Sequence, residues 1–391
     1  MDENYNKGVS ELRFVSFVSA LIIAFLSFAF KADAYELSGV SAKGAILIDA
    51  ATGEVLYEKN GYEKLPMAST TKIMSALLAL EQGDLDEKFV VDKDAIKVEG
   101  SSMGLQEGDI VTMRTLVYGM LLPSGNDAAN CAAVRISGSV EAFVQLMNER
   151  AAEMGLTSTH FVTPSGLDDY TDEHYSTAYD MASLAREALK NEDFREICGK
   201  KNAKLEFGNP PYERWLTNSN KLLAMCDGVI GVKTGFTDKA RRCLVSACER
   251  DGATLICVTL NDPDDWIDHT RMFDYGFSLM SKQELPLETD TFEIGAVGGT
   301  ADTILCKTDK VRLTLPDGKA ENVTCKIFIQ PFIYCPAAEN VQVGRAEYYY
   351  NGELIAQKPV YTAQSVGGKT AEPKKRGFLQ SCIEKAKILF E

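Results

Sequence analysis

The chemistry and fold expected of this chain follow first from one short segment, Ser69-Thr70-Thr71-Lys72. The serine and the lysine are three residues apart at a predicted helix start, so the hydroxyl and the amine lie on the same face of the helix. Serine is a weak nucleophile until a base removes its proton. Lysine serves as that base only when it is neutral, which requires desolvation or a second cation to lower its pKa. The segment therefore predicts Ser69 as a nucleophile and Lys72 as its proton acceptor. On its own it is weak evidence, since any helix start with a serine and a solvated lysine matches it.

A second motif, Ser124-Gly125-Asn126, follows the stretch Tyr118–Pro123 and is predicted to form a loop at the end of a buried helix. The Ser124 hydroxyl can pass a proton from the base to a leaving amine. Asn126 offers both a donor and an acceptor to a substrate amide. Taken alone, this motif is also typical of an ordinary turn.

A third motif, Lys233-Thr234-Gly235, is predicted at a strand edge, where glycine lets a ligand approach the backbone closely. Lys233 is the second cation that the proposed base requires, and with the Thr234 hydroxyl it can hold a terminal carboxylate. The N–H groups of Phe236 and Ser69 can form an oxyanion hole. The ordered set of three motifs predicts an acyl-transfer enzyme.

The histidines and acidic residues do not support other chemistries. None of the three histidines, His160, His174 and His269, lies near a Gly-x-Ser-x-Gly elbow, so a Ser-His-Asp site is not expected. We assign His160 an architectural role. The acidic run from Asp262 to Asp268 is predicted to be a solvated turn that caps the next helix, not a metal site. We expect no cofactor.

Length and charge exclude several classes of protein. A chain of 391 residues is too long for one typical core, so two domains are expected. The formal net charge of −15 argues against a nucleic-acid partner, which requires a basic face. The ten cysteines include no Cys-x-x-Cys pair, and several lie in apolar runs such as Leu255–Val258. They are predicted to pack in the core, and whether any of them pair is left open.

The N-terminus has the pattern of a secretory signal peptide. Lys7 and Arg13 precede the uncharged apolar stretch Phe14–Phe30, and Ala32-Asp33-Ala34 follows as a small-x-small cleavage site. The alternative is an uncleaved anchor, since the apolar run approaches the length that spans a bilayer. Either interpretation places the rest of the protein outside the cytoplasm.

The region after the signal peptide reads as one α/β domain whose sheet is assembled from distant segments. Strands at both ends enclose a region that is mostly helical from about Leu105 to Ala188, and a helix is expected from near Ser69 to Gly83. Two β-hairpins are predicted. Their strands are Ala45–Asp49 with Glu54–Tyr57, and Arg242–Ala247 with Thr254–Leu260.

The character of the sequence changes near Leu285. Short alternating β runs between Thr291 and Val360, with a hairpin signal at Asn351-Gly352, predict a small all-β domain. A polar connector then leads to Phe378–Glu391, where apolar residues share one helical face with lysines at its sides. This helix is predicted to lie in a membrane interface. The alternative is a tail helix that packs on its own protein.

The flanks of the motifs make the chain resemble the serine-type D-Ala-D-Ala carboxypeptidases, the low-molecular-mass penicillin-binding proteins. The resemblance extends from about Gly44 to the C-terminus and is carried by Met67–Met74, Leu122–Ala128, Phe161–Leu167, Gly231–Thr237 and Cys243–Gly252. It implies a transpeptidase/β-lactamase-like α/β domain, with an antiparallel sheet, helices on both sides and a helical subdomain. The division that we predict is a signal peptide (1–34), a catalytic domain (35–284), a β domain (285–365), and a linker with an amphipathic membrane-anchor helix (366–391).

The resemblance also implies a reaction, the removal of the terminal D-alanine from peptidoglycan stem pentapeptides through a serine acyl-enzyme that β-lactams inhibit. Carried over residue by residue, Ser69 is the nucleophile, Lys72 the proton acceptor, Ser124 the relay and Lys233 the ligand of the substrate carboxylate. The other substrate-binding residues that we predict are Asn126, Thr234, Gly235 and Phe236. The implied location is the outer face of the cytoplasmic membrane, with peripheral attachment through the C-terminal helix.

Two points of the pattern stay open. Arg241 stands where many family members have a glycine, and the arginine that binds the carboxylate is Arg241, Arg242 or Arg271. The rival functions are a class A β-lactamase and a non-catalytic module that binds cell wall or β-lactams. A class A β-lactamase needs a Glu-x-x-x-Asn loop for deacylation. This pattern occurs at Glu187–Asn191, but there it lies in a helical pattern typical of solvated surface. A pure binder would need neither Lys72 nor Ser124.

Overall fold

The computed structural model describes residues 37–82 and 84–370. Its first unit is built around a five-stranded antiparallel sheet. In chain order the elements of this unit are β1 (Gly44–Asp49), β2 (Val55–Lys59), a 3-10 turn (Ala68–Thr71), α1 (Lys72–Glu81), β3 (Phe89–Val90), β4 (Ile110–Val111), α2 (Met113–Leu121), α3 (Asn126–Ser137), α4 (Val140–Glu153), α5 (Ala178–Ala188), α6 (Glu192–Cys198), β5 (Asn202–Gly208), β6 (Pro211–Thr217), α7 (Leu222–Met225), β7 (Val229–Thr237), β8 (Arg241–Arg250), β9 (Ala253–Leu260) and α8 (Asp265–Ser278).

The sheet is assembled from distant segments, as predicted. Its strand order is β2-β1-β9-β8-β7, and both expected hairpins are present in it. Side chains of β1 alternate between two buried apolar clusters: Ile46 and Ile48 pack in the cluster that contains α5, and Leu47 packs in the one that contains α8. Since both faces of the sheet are covered by helices, the α/β architecture predicted for the catalytic domain is confirmed.

The helix expected from Ser69 begins with a 3-10 turn and becomes α-helical only at Lys72. The hydroxyls of Thr70 and Thr71 donate to the carbonyls of Met67 and Ala68 at 2.6 and 2.7 Å, which competes with α-helical hydrogen bonding. The region predicted to be mostly helical contains α2 to α5, but it is interrupted by β4 and by a long irregular segment between α4 and α5.

The second unit is all-β, as predicted. Its elements are β10 (Met280–Glu284), β11 (Thr291–Val297), β12 (Thr303–Lys307), β13 (Arg312–Pro316), a 3-10 turn (Lys319–Asn322), β14 (Val323–Ile329), β15 (Phe332–Tyr334), β16 (Gln342–Tyr350) and β17 (Glu353–Thr362). Six of the strands form a sheet in the order β14-β16-β17-β12-β11-β15. The predicted hairpin joins β16 to β17, with Asn351 and Gly352 at φ values of 49° and 86°.

The two units meet through polar contacts. Glu54 of the β1–β2 hairpin accepts hydrogen bonds from Lys319 and, at 2.9 Å, from the Tyr350 hydroxyl. Arg186 of α5 forms an ion pair of 2.6 Å with Glu353. The buried apolar clusters of the two units are separate from one another. Side-chain charges and hydroxyls therefore set how the β unit sits on the first unit.

The acidic run Asp262–Asp268 was predicted to be solvated, and this is wrong. Asp262 precedes α8 and Asp265 and Asp268 lie in its first turn, and all three residues are buried. The Ser41 hydroxyl donates to Asp262 and Asp268 at 2.6 and 2.9 Å, and Arg242 pairs with Asp265. These partners replace water, which is what makes burial of the carboxylates tolerable. Within residues 37–82 and 84–370 no cluster suited to a metal ion occurs.

Seven of the cysteines in the described ranges are buried, which confirms that they pack in the core, and all nine described cysteines are free thiols. The predicted signal peptide (1–34) and the predicted helix Phe378–Glu391 lie outside the described residues. No helix within those ranges combines the length and apolar character needed to cross a bilayer.

Candidate active site

The Ser69 hydroxyl and the Lys72 amine are in direct contact. Lys72 Nζ lies 2.9 Å from Ser69 Oγ, and it also donates to Asn126 Oδ1 at 2.7 Å and to the Ser165 carbonyl at 2.6 Å. Ser69 sits in the 3-10 turn and is half-buried, whereas Lys72 is fully buried. When the amine is neutral, two of its contacts can hold its N–H groups while its lone pair faces the Ser69 hydroxyl.

The electrostatics of the site favour a neutral Lys72. Burial lowers the pKa of Lys72 well below its ordinary value, and the nearby charge of Lys233 lowers it further, while Asp127 opposes the shift. Burial also lowers the pKa of Lys233 to about 7. The neutral form of each amine is therefore favoured relative to an ordinary lysine.

Ser124 and Gly125 of the second motif lie in the loop after α2, as predicted, and Asn126 is the first residue of α3. Ser124 is buried and has a φ of 67°, a left-handed conformation that is uncommon for serine. Asn126 is held by two further contacts: its Nδ2 donates to the Glu99 carbonyl and its backbone N–H to the Ser101 carbonyl, each at 2.7 Å. This fixes the amide oxygen that accepts from Lys72.

The third motif lies on β7, the terminal strand of the sheet. A Cβ added at Gly235 would lie only 3.1 Å from the Ser69 and Thr70 nitrogens, so glycine allows this strand to lie against the backbone of the nucleophile. Lys233 is buried, and its amine donates to the Thr234 carbonyl at 2.8 Å. The Thr234 hydroxyl shares a hydrogen bond of 2.7 Å with Ser219.

The three motifs converge on one groove. A cavity of about 350 Å³ is lined by Ser69, Ser124, Thr234, Gly235 and Phe236. Behind this wall lie the buried side chains of the other predicted site residues, Lys72, Asn126 and Lys233. All eight residues predicted from the sequence are therefore brought together, although they come from three distant segments.

Sequence reasoning missed the segment that supports the nucleophile from the other side. Gly166 has a φ of 90°, and a Cβ there would lie 2.1 Å from the Ala68 carbonyl oxygen. Its neighbour Ser165 supplies the carbonyl that binds Lys72. The only sequence signal for this contact is the glycine at position 166. The acceptor is a backbone carbonyl, which any residue type at position 165 would supply.

Two further positioning residues were not anticipated. His174 accepts the Val162 N–H through Nδ1 at 2.9 Å, so its Nε2 carries the proton that faces the Thr71 hydroxyl at 2.8 Å. Burial lowers the pKa of His174 to about 3, which keeps it neutral. Asp127 accepts the N–H groups of Met103, Gly104 and Leu105 at 2.9 to 3.0 Å and so ties that loop to the second motif.

The structure distinguishes the three candidate arginines. Arg242 lines the groove, pairs with Asp265 at 2.6 Å and stacks over Trp266, while its Nε has no hydrogen-bond partner among the described residues. Arg241 lies over Phe236 and has a φ of 59°, a left-handed conformation that glycine adopts without strain. Arg271 donates to the Ser38 carbonyl instead.

The remaining residues weighed from the sequence lie elsewhere. His160 forms a bridge with Tyr175 and binds the Glu173 carbonyl, as expected of an architectural residue. Glu187 pairs with Lys190 at 2.7 Å, and Asn191 caps α6. Neither of these two residues lines the groove.

Chemically, this arrangement supplies a nucleophile, a base without histidine, a second hydroxyl in the groove wall, and two cations, Arg242 in the wall and Lys233 buried on β7. Those are the parts that acyl transfer through serine requires. They match the pattern of a Ser-x-x-Lys, a serine-containing middle motif and a Lys-Thr-Gly on one site.

Comparison with known proteins gives a consistent result. The model of the D-alanyl-D-alanine carboxypeptidase family matches residues 31–264, and that of the penicillin-binding protein 5 C-terminal domain matches residues 295–367. The D-alanyl-D-alanine carboxypeptidase DacF of Bacillus subtilis is 33% identical over 376 residues, which are 93% of this chain and 94% of DacF. The D-alanyl-D-alanine carboxypeptidase DacC of Escherichia coli is 33% identical over 379 residues, 91% of this chain and 92% of DacC.

Solved structures agree with these matches. The Streptomyces K15 DD-transpeptidase has 33% identity and a TM-score of 0.60, and the match covers 62% of this chain and all of that one, 100%. The carboxypeptidase DacD from Francisella tularensis has 26% identity and a TM-score of 0.60 over 87% of this chain and 96% of its own. The chain belongs to the D-alanyl-D-alanine carboxypeptidase family.

Proposed function

We propose that this protein is a serine-type D-Ala-D-Ala carboxypeptidase that removes the terminal D-alanine from peptidoglycan stem pentapeptides and is acylated by β-lactams. The observation that carries the proposal is the contact between the Ser69 hydroxyl and the buried amine of Lys72. Membership in the family and the convergence of all three motifs on one groove support it.

In the proposed mechanism, neutral Lys72 takes the proton of Ser69 as the hydroxyl attacks the carbonyl of the penultimate D-alanine. The N–H groups of Ser69 and Phe236 stabilise the oxyanion. Ser124 relays the proton to the leaving D-alanine, and water then hydrolyses the acyl-enzyme. Asn126 holds the peptide amide, and Lys233 and Thr234 bind the terminal carboxylate.

The deciding experiment measures D-alanine release from diacetyl-Lys-D-Ala-D-Ala by the wild-type protein. We expect steady release, and with nitrocefin a single burst that stops when the site is acylated. Sustained nitrocefin turnover would instead support the β-lactamase. Binding of muropeptides without any D-alanine release would support the non-catalytic module.

The pH profile of acylation tests the role of Lys72. Because only neutral Lys72 accepts a proton, the rate of acylation by a β-lactam should rise about tenfold per pH unit on the acid side and then level off. The apparent pKa of this rise should lie well below the 10.5 of an ordinary lysine, because burial and Lys233 lower it. A rate that is flat from mildly acidic to strongly alkaline pH would contradict the assignment.

Deprotonation of Lys233 should weaken substrate binding on the alkaline side of the pH profile. A lysine with a pKa of about 7 loses its charge above that pH, so KM for an anionic peptide should rise as the pH increases. Lys233→Arg keeps its charge at all accessible pH values. In that variant the alkaline rise of KM should disappear, and an unchanged alkaline limb would remove Lys233 from carboxylate binding.

Arg242 is the arginine that we assign to the substrate carboxylate. Its guanidinium lines the groove, so Arg242→Gln should raise KM about tenfold to a hundredfold and change kcat less, as expected for loss of a charged hydrogen bond. Arg271→Gln is the matched control, because Arg271 donates to Ser38 away from the groove. Equal KM values for these two variants would refute the choice of Arg242.

We further propose that the protein acts outside the cytoplasm, with the division into signal peptide (1–34), catalytic domain (35–284), β domain (285–365) and linker with anchor helix (366–391). The support is the sequence pattern at each end. Cosedimentation with anionic lipid vesicles should be lost when residues 366–391 are deleted. Equal sedimentation of both forms would leave the tail as a helix that packs on its own protein.

A further inference from the structure

Two thiols that the proposed reaction does not use lie together at the start of β7. Cys226 is the C-cap residue of α7, and Cys248 lies on β8 opposite Val229 of β7. Both thiols donate to the same acceptor, the Asp227 carbonyl, at 3.9 Å for Cys226 and 3.4 Å for Cys248, so the two sulfur atoms lie around one oxygen. Both side chains belong to one buried apolar cluster on the α8 face of the sheet.

A cation is fixed beside one of the two thiols. The guanidinium of Arg250 lies 3.4 Å from Cys226 Sγ, and it is held in place by Asp274 at 2.7 Å and by the ring of Phe277. Such a cation stabilises the thiolate, which is the reactive form of cysteine. Cys226 retains slight exposure at 7%, whereas Cys248 behind it has none.

The charges around the pair act in opposite directions on its two members. The hydrogen bond from Cys248 and the charge of Arg250 lower the pKa of Cys226 to about 6, although burial and Asp274 oppose this. The same hydrogen bond and burial raise the pKa of Cys248. For Cys198, another buried thiol, burial is the largest effect and raises the pKa to about 12, although the charge of Arg195 opposes it.

We propose that Cys226 and Cys248 form a redox-active dithiol that closes to a disulfide in the presence of a small disulfide oxidant such as oxidised glutathione. The Cys226 thiolate attacks one sulfur of the oxidant and expels the other as a thiolate. Cys248 then loses its proton and attacks the sulfur of Cys226 in the mixed disulfide, releasing the second glutathione thiol. Two protein thiols lose two electrons and two protons, and one oxidant disulfide becomes two thiols.

The disulfide would close a loop that contains β7 and β8 as far as Cys248. Closing such a loop restricts the unfolded chain, so the oxidised protein should melt about 4 °C higher than the reduced one. The pair lies at the end of β7 opposite Gly235, so the rate of penicillin acylation should change less than twofold. This separates the redox site from the proposed peptidase function.

Peptide mapping of the oxidised full-length protein provides the first test. Trypsin leaves Cys226 in peptide 222–233 and Cys248 in peptide 243–250, which also contains Cys243. After treatment with oxidised glutathione, the two peptides should be linked, and fragmentation should place the bond on Cys248. A link to Cys243, or a stable glutathione adduct on Cys226 alone, would overturn the proposal. In Cys248→Ser the two peptides should stay unlinked, and glutathione should remain attached to Cys226 because no second thiol displaces it.

The rate of Cys226 alkylation by iodoacetamide as a function of pH provides the second test. Its midpoint should lie near pH 6 and should move up by at least one unit in Arg250→Met, with about a tenfold slower reaction at pH 5.5. Arg250→Lys keeps the charge, so its midpoint should lie between those of the wild type and Arg250→Met. Cys198 is the internal control that should stay unmodified throughout. Identical profiles for wild type and Arg250→Met would refute a thiolate stabilised by Arg250.

Discussion

Replacement of Lys72 by methionine should lower the rate of acylation by at least about 10⁴-fold, down to the level of Ser69→Ala. The two residues act as one unit, because the hydroxyl is 2.9 Å from the only amine in contact with it among the described residues. Methionine retains most of the volume of the buried lysine stem but accepts no proton. Labelling with fluorescent penicillin and D-alanine release are the measurements.

The controls separate the charge of Lys72 from its role as a base. Lys72→Arg keeps a cation that cannot be deprotonated, so it should be as inactive as the methionine variant. Thermal unfolding of each variant shows whether the fold survives, and only variants that retain a cooperative transition are compared. Substantial acylation of Lys72→Met at neutral pH would mean that another group removes the proton from Ser69.

Gly166→Ala should lower kcat/KM for the peptide by about 10²-fold, the cost expected when a reacting group is displaced by roughly an ångström. The added Cβ would lie 2.1 Å from the Ala68 carbonyl oxygen and 2.9 Å from the Ser69 nitrogen, so the nucleophile or the Ser165 carbonyl must move. The loss should appear in the acylation rate as well as in turnover.

Gly138→Ala is the matched control for this substitution. Gly138 has a φ of 79°, so alanine there meets a similar backbone strain, but a Cβ would have nothing within 4 Å. That variant should lose some stability and keep its activity. If both alanine variants have equal kcat/KM, the close contact between Gly166 and Ala68 has no part in positioning the nucleophile.

Local sequence signals predicted the parts of this fold that depend on short range order. The β1–β2 and β8–β9 hairpins, the mostly helical region from Leu105 to Ala188, and the Asn351-Gly352 turn each follow from alternation, periodicity or turn chemistry within a few residues. The motifs also named eight residues that the structure brings together, five in the groove wall and three behind it. Their chemistry is complementary, which made convergence the simplest interpretation.

What escaped prediction depends on packing between distant segments. The Ser165 carbonyl that binds Lys72 is a backbone group, so no residue type marks it. The carboxylates of Asp262 and Asp268 look solvated in the sequence, because their partner Ser41 lies more than two hundred residues away. Likewise, the choice of Arg242 required seeing which guanidinium reaches the groove.

The polar contacts between the two units have a mechanical consequence. A pull applied to the end of the β unit reaches the first unit through the chain connection between α8 and β10 and through polar contacts, which include Lys319 with Glu54 and Arg186 with Glu353. Mobile ions weaken partly exposed ion pairs. We therefore expect added salt to loosen the contact between the two units.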